Sequence, residues 1–166
     1  MPLIKDGKVV DNPWVALADD APLPPADPVI VSLARWRAER GELSQRGRAV
    51  GIRLRSDESP AEIADDLQHF ELIALEFPVF RDGRAYSYAR LLRERYGYAG
   101  ELRAVGDVLL EQLLFMHRCG FNAFEIESEN ALDDWITATS EIGVWYQPTG
   151  DGRATAMQLR HPRDQR

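Results

Sequence analysis

Residues Glu76–Arg95 read EFPVFRDGRAYSYARLLRER and follow the apolar run Leu72–Leu75. An apolar run without polar alternation fits a strand buried on both faces, as in a parallel sheet. Pro78 ends that strand, and Asp82-Gly83 supplies a turn. Ala85, Ala89, Leu92 and Tyr96 then recur at spacings of four, three and four, which predicts a helix over Arg84–Tyr96 packed on the sheet. Ser87, Arg90, Arg93 and Glu94 fall on its outer side. Strand, short turn and helix in that order form half of a β-α-β unit. In such proteins ligands bind outside the carboxyl ends of the strands. Arg81 and Arg84 flank the glycine of this corner, and Ser87 follows one turn later. Planar guanidinium forks and a helix N-terminus both favour anions. Arg81, Arg84 and Ser87 are therefore expected to form a cradle for a small anion or a phosphate. The competing reading is that Arg84 pairs with a nearby carboxylate and holds the loop.

The same unit repeats outward in both directions. Val29–Val31 is an apolar strand, and Ser32 can cap a helix over Leu33–Arg40 that stops at Gly41. Ala49–Leu54 is the next strand. Ser59-Pro60-Ala61-Glu62 has the layout of a capping box with proline at the first helical position, for a helix reaching His69. Downstream, Glu101–Gly106 is a strand and Asp107 can cap a helix over Val108–Cys119. Ala123–Glu127 is a strand, Asn130 can cap a helix from Ala131 to Glu141, and Val144–Tyr146 is a last strand. Ala154–Leu159 could add an edge strand, and the end is expected to fray. Residues 3–10 alternate around Asp6-Gly7 as a tight hairpin, with Trp14 pinning it to the body. Asp19–Pro28 holds four prolines and reads as a connector. The expected organisation is a hairpin arm and connector over 1–27, an α/β domain over 28–148, and a C-terminal edge strand and tail over 149–166. Repeated β-α units demand a mostly parallel sheet. Its closure is left open between a doubly wound sheet and a partial barrel, since six strands are too few for a complete eight-stranded barrel.

Composition narrows the function. The chain has 166 residues, 45% hydrophobic and 28% charged, with a net charge of −7. That suits one globular domain and argues against nucleic-acid or membrane-surface partners. The charge is uneven: residues 81–103 hold six arginines against Asp82, Glu94 and Glu101. This positive island in an acidic protein suits an acidic ligand or partner patch. Cys119 is the only cysteine, which excludes an internal disulfide or a cysteine-based cluster; at a helix C-terminus it reads as a small core residue. No run is long enough for a membrane helix, and MPLIKDGKVV lacks a signal-peptide layout, so a cytoplasmic location is expected.

Other residues offer chemistry. Glu76 and Glu125 lie at strand ends that a parallel sheet brings to one side; a carboxylate in an apolar strand needs a partner, so this pair is the candidate for acid/base catalysis. Asp107 reads as a cap, and Glu127 falls near the loop. His69, His117 and His161 show no metal spacing, so no metal site is expected. No dinucleotide fingerprint and no Walker motif occurs, so no cofactor is predicted. Leu109, Leu113 and Met116 form one face of the helix after Asp107, while Leu110 and Leu114 form another. A helix apolar on most sides is deeply buried or lies in an interface. Leu110 and Leu114, with Arg90 and Arg93, are thus the expected partner surface, for another protein or a homodimer.

Three blocks carry a resemblance: Asp82-Gly83-Arg84 with Ser87, Arg90-Leu91-Leu92-Arg93, and Gly100–Asp107. Residues 77–125 as a whole resemble a bacterial family of unknown function whose members are commonly described as oxidoreductases involved in sulfite reduction. The chain departs from the pattern at Asn122, where relatives carry Asp. The resemblance implies a role beside the sulfite reductase haemoprotein or a neighbouring enzyme of sulfur assimilation. It brings no catalytic residues with it. The function expected is an accessory protein of sulfite reduction. The alternative is a small-molecule enzyme that binds an oxyanion or phosphate at the corner 76–87.

Overall fold

The computed structural model describes residues 1–160. Eight strands form one sheet: β1 Leu3–Lys5, β2 Lys8–Val10, β3 Val15–Ala16, β4 Val29–Ser32, β5 Val50–Leu54, β6 Leu72–Phe77, β7 Glu101–Gly106 and β8 Ala123–Glu125. Their order is β2-β1-β8-β7-β6-β5-β4-β3. From β3 to β8 all neighbours are parallel, whereas β1 is antiparallel to both β8 and β2. A doubly wound sheet reverses its strand order at a switch point. Here the order from β3 to β8 never reverses, so the chain winds one way and the sheet curls as a half-barrel. The connecting segments share its outer face.

The hairpin forms as expected. Asp6 (φ 49°) and Gly7 (φ 76°) both take the left-handed conformation that a two-residue hairpin turn needs. The hairpin extends the sheet through β8, and Asp6 N–H donates to the Asn122 carbonyl (2.9 Å). Trp14 packs against Ile30, Leu72, Ala74 and Val105 on the inner face.

Five α-helices lie between or after the strands: α1 Leu33–Gln45, α2 Arg84–Arg90, α3 Leu113–Arg118, α4 Ala131–Ser140 and α5 Ala156–Arg160. Ser32 caps α1 by accepting from Arg35 N–H (3.0 Å). The helix kinks at Glu39 but runs past Gly41, where it was expected to stop, to Gln45. The Ser59 capping box is present, with Glu62 accepting from Ser59 N–H at 2.9 Å, although Pro60–His69 winds as a 3₁₀ segment. α2 continues into a π turn over Leu91–Arg95 and stops where Gly97 takes φ 65°. Ala85, Ala89 and Leu92 face the core as the spacing predicts.

Four further expectations fail. Asp107 caps no helix; its N–H bonds to the Phe77 carbonyl, and the helical turn starts at Leu110 with Gln112 accepting from Leu109 N–H. Asn130 makes no side-chain cap on α4. Val144–Tyr146 has no strand partner and forms no ladder, and Ala154–Leu159 contains α5 where an edge strand was expected. The expected fraying concerns 161–166, outside the described residues.

The main core lies between sheet and helices, around Trp36, Ile52, Ile73, Leu75, Phe77, Leu102, Met116, Phe121 and Phe124. Gly106 shows how tightly β7 meets β6. It sits at φ 94°, and a Cβ on it would lie 2.4 Å from the Phe77 carbonyl oxygen.

Candidate functional site

Among the described residues the inner face of the half-barrel carries no helix, and its register arranges the charges. Lys8, Lys5, Ala123, Arg103, Ala74, Arg53 and Ser32 fall in one line across seven strands. Cationic side chains on β1, β7 and β5 thus alternate with alanines on β8 and β6, and the small alanines leave the long side chains room. Two residues along the strands on the same face come the carboxylates Glu76, Glu101 and Glu125. Arg103 is fully buried, contacts Glu101 Oε1 at 2.6–2.8 Å and donates to Glu125 Oε1 at 2.9 Å. It also donates to Asn12 Oδ1 (3.0 Å) in the segment that carries Trp14 across this face. Lys5 Nζ reaches Glu101 Oε2 at 2.7 Å. Arg53 reaches Glu76 Oε1 at 2.9 Å. A parallel sheet covered on both faces is apolar on both; here the inner face sets this ionic row beside the small apolar patch under Trp14.

Glu76 and Glu125 therefore share a face but not a site. β7 stands between them, two strand spacings or about 10 Å of backbone separation, and each is held by its own arginine. The strands themselves carried the signal that Arg53 and Arg103 belong to this site. Glu101-Leu102-Arg103-Ala104 puts a charge at every second position, on one face of the pleat, and Gly51-Ile52-Arg53-Leu54 sets one arginine between apolar neighbours.

At the corner, Arg84 closes on Asp82. Its Nε donates to Oδ1 at 3.0 Å and its Nη2 to Oδ2 at 2.7 Å, while Nη2 also reaches Ser56 Oγ at 2.9 Å. The Arg84 guanidinium holds the Asp82 carboxyl well below the usual range, and Asp82 in turn raises Arg84. The fork thus ties the corner to the loop after β5. Arg81 and Ser87 are both exposed, and neither joins this cluster. Ser87 instead lines a shallow hollow with Arg90, Leu91, Glu94 and Arg95.

The residues expected to meet a partner are split. Arg90 is exposed and pairs with Glu94 one turn on (2.9 Å). Arg93 points inward, donating to the carbonyls of Gly120 (2.9 Å), Tyr98 (2.6 Å) and Gly100 (2.9 Å) and to Asn122 Oδ1 (3.3 Å). Burial lowers its pKa. Asn122, which also accepts from Leu102 N–H at 2.8 Å, is a brace between loops. Leu110 is exposed, whereas Leu114 is buried against the segment 142–147.

That segment is clamped by Trp145. The Arg118 guanidinium lies 4.1 Å above its ring centroid and that of Arg153 lies 5.3 Å away. Arg118 is itself held by Asp151 (3.0 Å) and the Gln147 carbonyl (2.8 Å). Trp145 is buried, and Ile142, Val144 and Tyr146 stand exposed on either side of it. With Leu114 and Phe115 they line a groove of about 420 Å³. Phe115 bridges to α2 through the Tyr86 ring, 4.9 Å away. Cys119 lies buried beneath, and burial pushes its thiol up. Among the described residues, no three His, Cys, Asp or Glu side chains gather as metal ligands, and no helix is long and apolar enough to cross a membrane.

These features define a singly wound α/β half-barrel with an ionic inner face and an apolar groove at its outer edge. The chain belongs to the family described as "Bacterial protein of unknown function (DUF934)", whose model matches residues 51–157. The match takes in β5 to β8, the corner and the groove. Neither a curated protein nor a solved structure matches the chain.

Proposed function

We propose that the protein is an accessory of sulfite reduction that works by docking onto an enzyme of that process, the sulfite reductase haemoprotein in the first place. The link to sulfite reduction rests on the resemblance carried by Asp82–Arg93 and Gly100–Asp107. The mode of action rests on one observation, the groove between α3 and 142–147. Its rim exposes Phe115 (53%), Ile142 (51%), Val144 (54%) and Tyr146 (77%) around one groove. A monomer gains nothing by presenting four large apolar side chains together, and such patches mark protein contacts. The clamp on Trp145 holds the segment in place, so little ordering remains to be done on binding. Arg90 and Arg95 stand exposed on α2 and the π turn that follows it, where they line the hollow with Ser87. The partner surface that fits is an apolar protrusion flanked by carboxylates.

The test is a pull-down of the tagged protein from its native cells grown on sulfate as sole sulfur source. Wild type should recover the reductase, and Phe115→Asp should lose it while keeping the fold. Recovery undiminished by Phe115→Asp would move the contact away from the groove. A twofold mass in solution, lost on the same substitution, would assign the groove to a second copy of this chain and contradict the docking reading.

A further inference from the structure

The Arg53 end of the ionic row opens into a cavity of about 430 Å³. It lies at the carboxyl ends of β4, β5 and β6, where β/α proteins place their ligands. Its polar lining comprises Asp19, Ser32, Arg53, Arg55, Glu58 and Glu76, and its apolar lining includes Ala16, Leu17 and Ile30. We propose that this cavity binds a small zwitterion of the α-amino-acid type, with the carboxylate on Arg53 and Arg55 and the ammonium on Glu58, Glu76 and Asp19.

The two arginines are loosely held. Arg53 touches Glu76 at 2.9 Å, and Arg55 turns its Nε towards Asp57 (3.4 Å) and Glu58 (3.3 Å). Both side chains are about half exposed or more, at 47% and 66%. Each guanidinium has five donors, and most of them meet no protein acceptor among the described residues. Arg103, in the same row, is by contrast fully buried and held by Glu101, Glu125 and Asn12. Exposed ion pairs contribute little to stability, so stability does not account for two forks at an open strand end. Net charge then selects the ligand. Two arginines face three carboxylates, so a polyanion is repelled, and a simple anion satisfies only the arginines. A zwitterion satisfies both sets with its two charges a few ångströms apart. Glu58 is anchored by accepting from Arg55 N–H (2.8 Å), and Asp19 by accepting from Ser32 Oγ (2.6 Å), so the acceptors are positioned in advance. The Asp82–Arg84–Ser56 tie braces the loop that carries Arg55 and Glu58. This cavity is separate from the docking groove, and neither proposal depends on the other.

The experiment is calorimetric titration of the full chain with each of the twenty proteinogenic amino acids, with acetate, ethylammonium and sulfate as single-charge controls. At least one amino acid should bind with the controls silent at the same concentration. Arg55→Ala and Glu58→Gln, both in a surface loop and checked by circular dichroism, should each weaken it at least tenfold. Binding of acetate or sulfate as tight as that of any amino acid would overturn the proposal. So would amino-acid binding unaffected by either variant, or no binding by any of the twenty.

Discussion

Replacing Arg103 by methionine tests the ionic inner face most sharply. Methionine keeps much of the length and removes the charge. It deletes the contacts of 2.6–2.8 Å to Glu101, 2.9 Å to Glu125 and 3.0 Å to Asn12. Breaking a buried pair from one side costs about 3–5 kcal/mol, because the stranded partner keeps its desolvation penalty. Glu101 retains Lys5, and the Glu125 side chain is 25% exposed and can turn to water. The lower end therefore applies, about 3 kcal/mol. In a domain of this size 1 kcal/mol shifts Tm by about 2–4 °C, so Arg103→Met should lower it by roughly 6–12 °C. Adding Glu101→Gln should restore part of the loss, since the buried carboxylate, left with Lys5 alone, is then gone. The assay is thermal and urea unfolding followed by circular dichroism on the three proteins. A loss below about 1 kcal/mol would put the row in the class of solvated surface pairs. The reasoning would also fail if Glu101→Gln only deepened the loss.

Other perturbations probe other parts. Gly106→Ala places a Cβ against the Phe77 carbonyl at a positive φ. It should cost at least ~2 kcal/mol, read from urea midpoints. Burial pushes the Tyr86 phenol up to about 12. A raised folded-state value means its contribution is intact below the unfolded value of about 10 and is lost as pH climbs towards 12. Wild type should lose more stability between pH 10 and pH 12 than Tyr86→Phe; parallel loss would contradict this. Asp82 has its value depressed by Arg84, so its contribution holds above the ordinary aspartate range and is lost in acid below it. Carboxyl NMR of Arg84→Met should show Asp82 titrating in the ordinary range, and an unmoved titration would remove Arg84 as the cause.

Local chemistry was the legible part of this fold. Asp6-Gly7 announces a turn because few other pairs accept positive φ twice. Ser59 and Glu62 announce a cap because both hydrogen bonds form within four residues. The order of strands and helices follows from their periodicity, and with it the mostly parallel sheet. Register was not legible, because it is fixed by contacts far apart in the chain. That Arg53, Arg103 and Lys5 share a line depends on the register of four strand pairings, β5 with β6, β6 with β7, β7 with β8 and β8 with β1. At the corner, composition suggested an open anion cradle, but Asp82 is close enough in sequence to fill the Arg84 fork itself. Arg93 has the spacing of an outward residue, yet the π turn and the glycine-rich loop at 97–100 swing carbonyls into its reach. Val144–Tyr146 has the composition of a strand, but it pairs with no strand among the described residues. Its apolar side chains are therefore left at the surface, where they form the groove.

The most direct test of the account is the binding of purified protein to purified sulfite reductase haemoprotein, measured by sedimentation velocity over a concentration series. The account predicts a complex with wild type that Phe115→Asp and Tyr146→Ala each weaken at least tenfold, equivalent to about 1.4 kcal/mol or more at a contact centre. Both variants should match wild type in circular dichroism. Two proteins sedimenting independently at every concentration, or a complex indifferent to both substitutions, would contradict it.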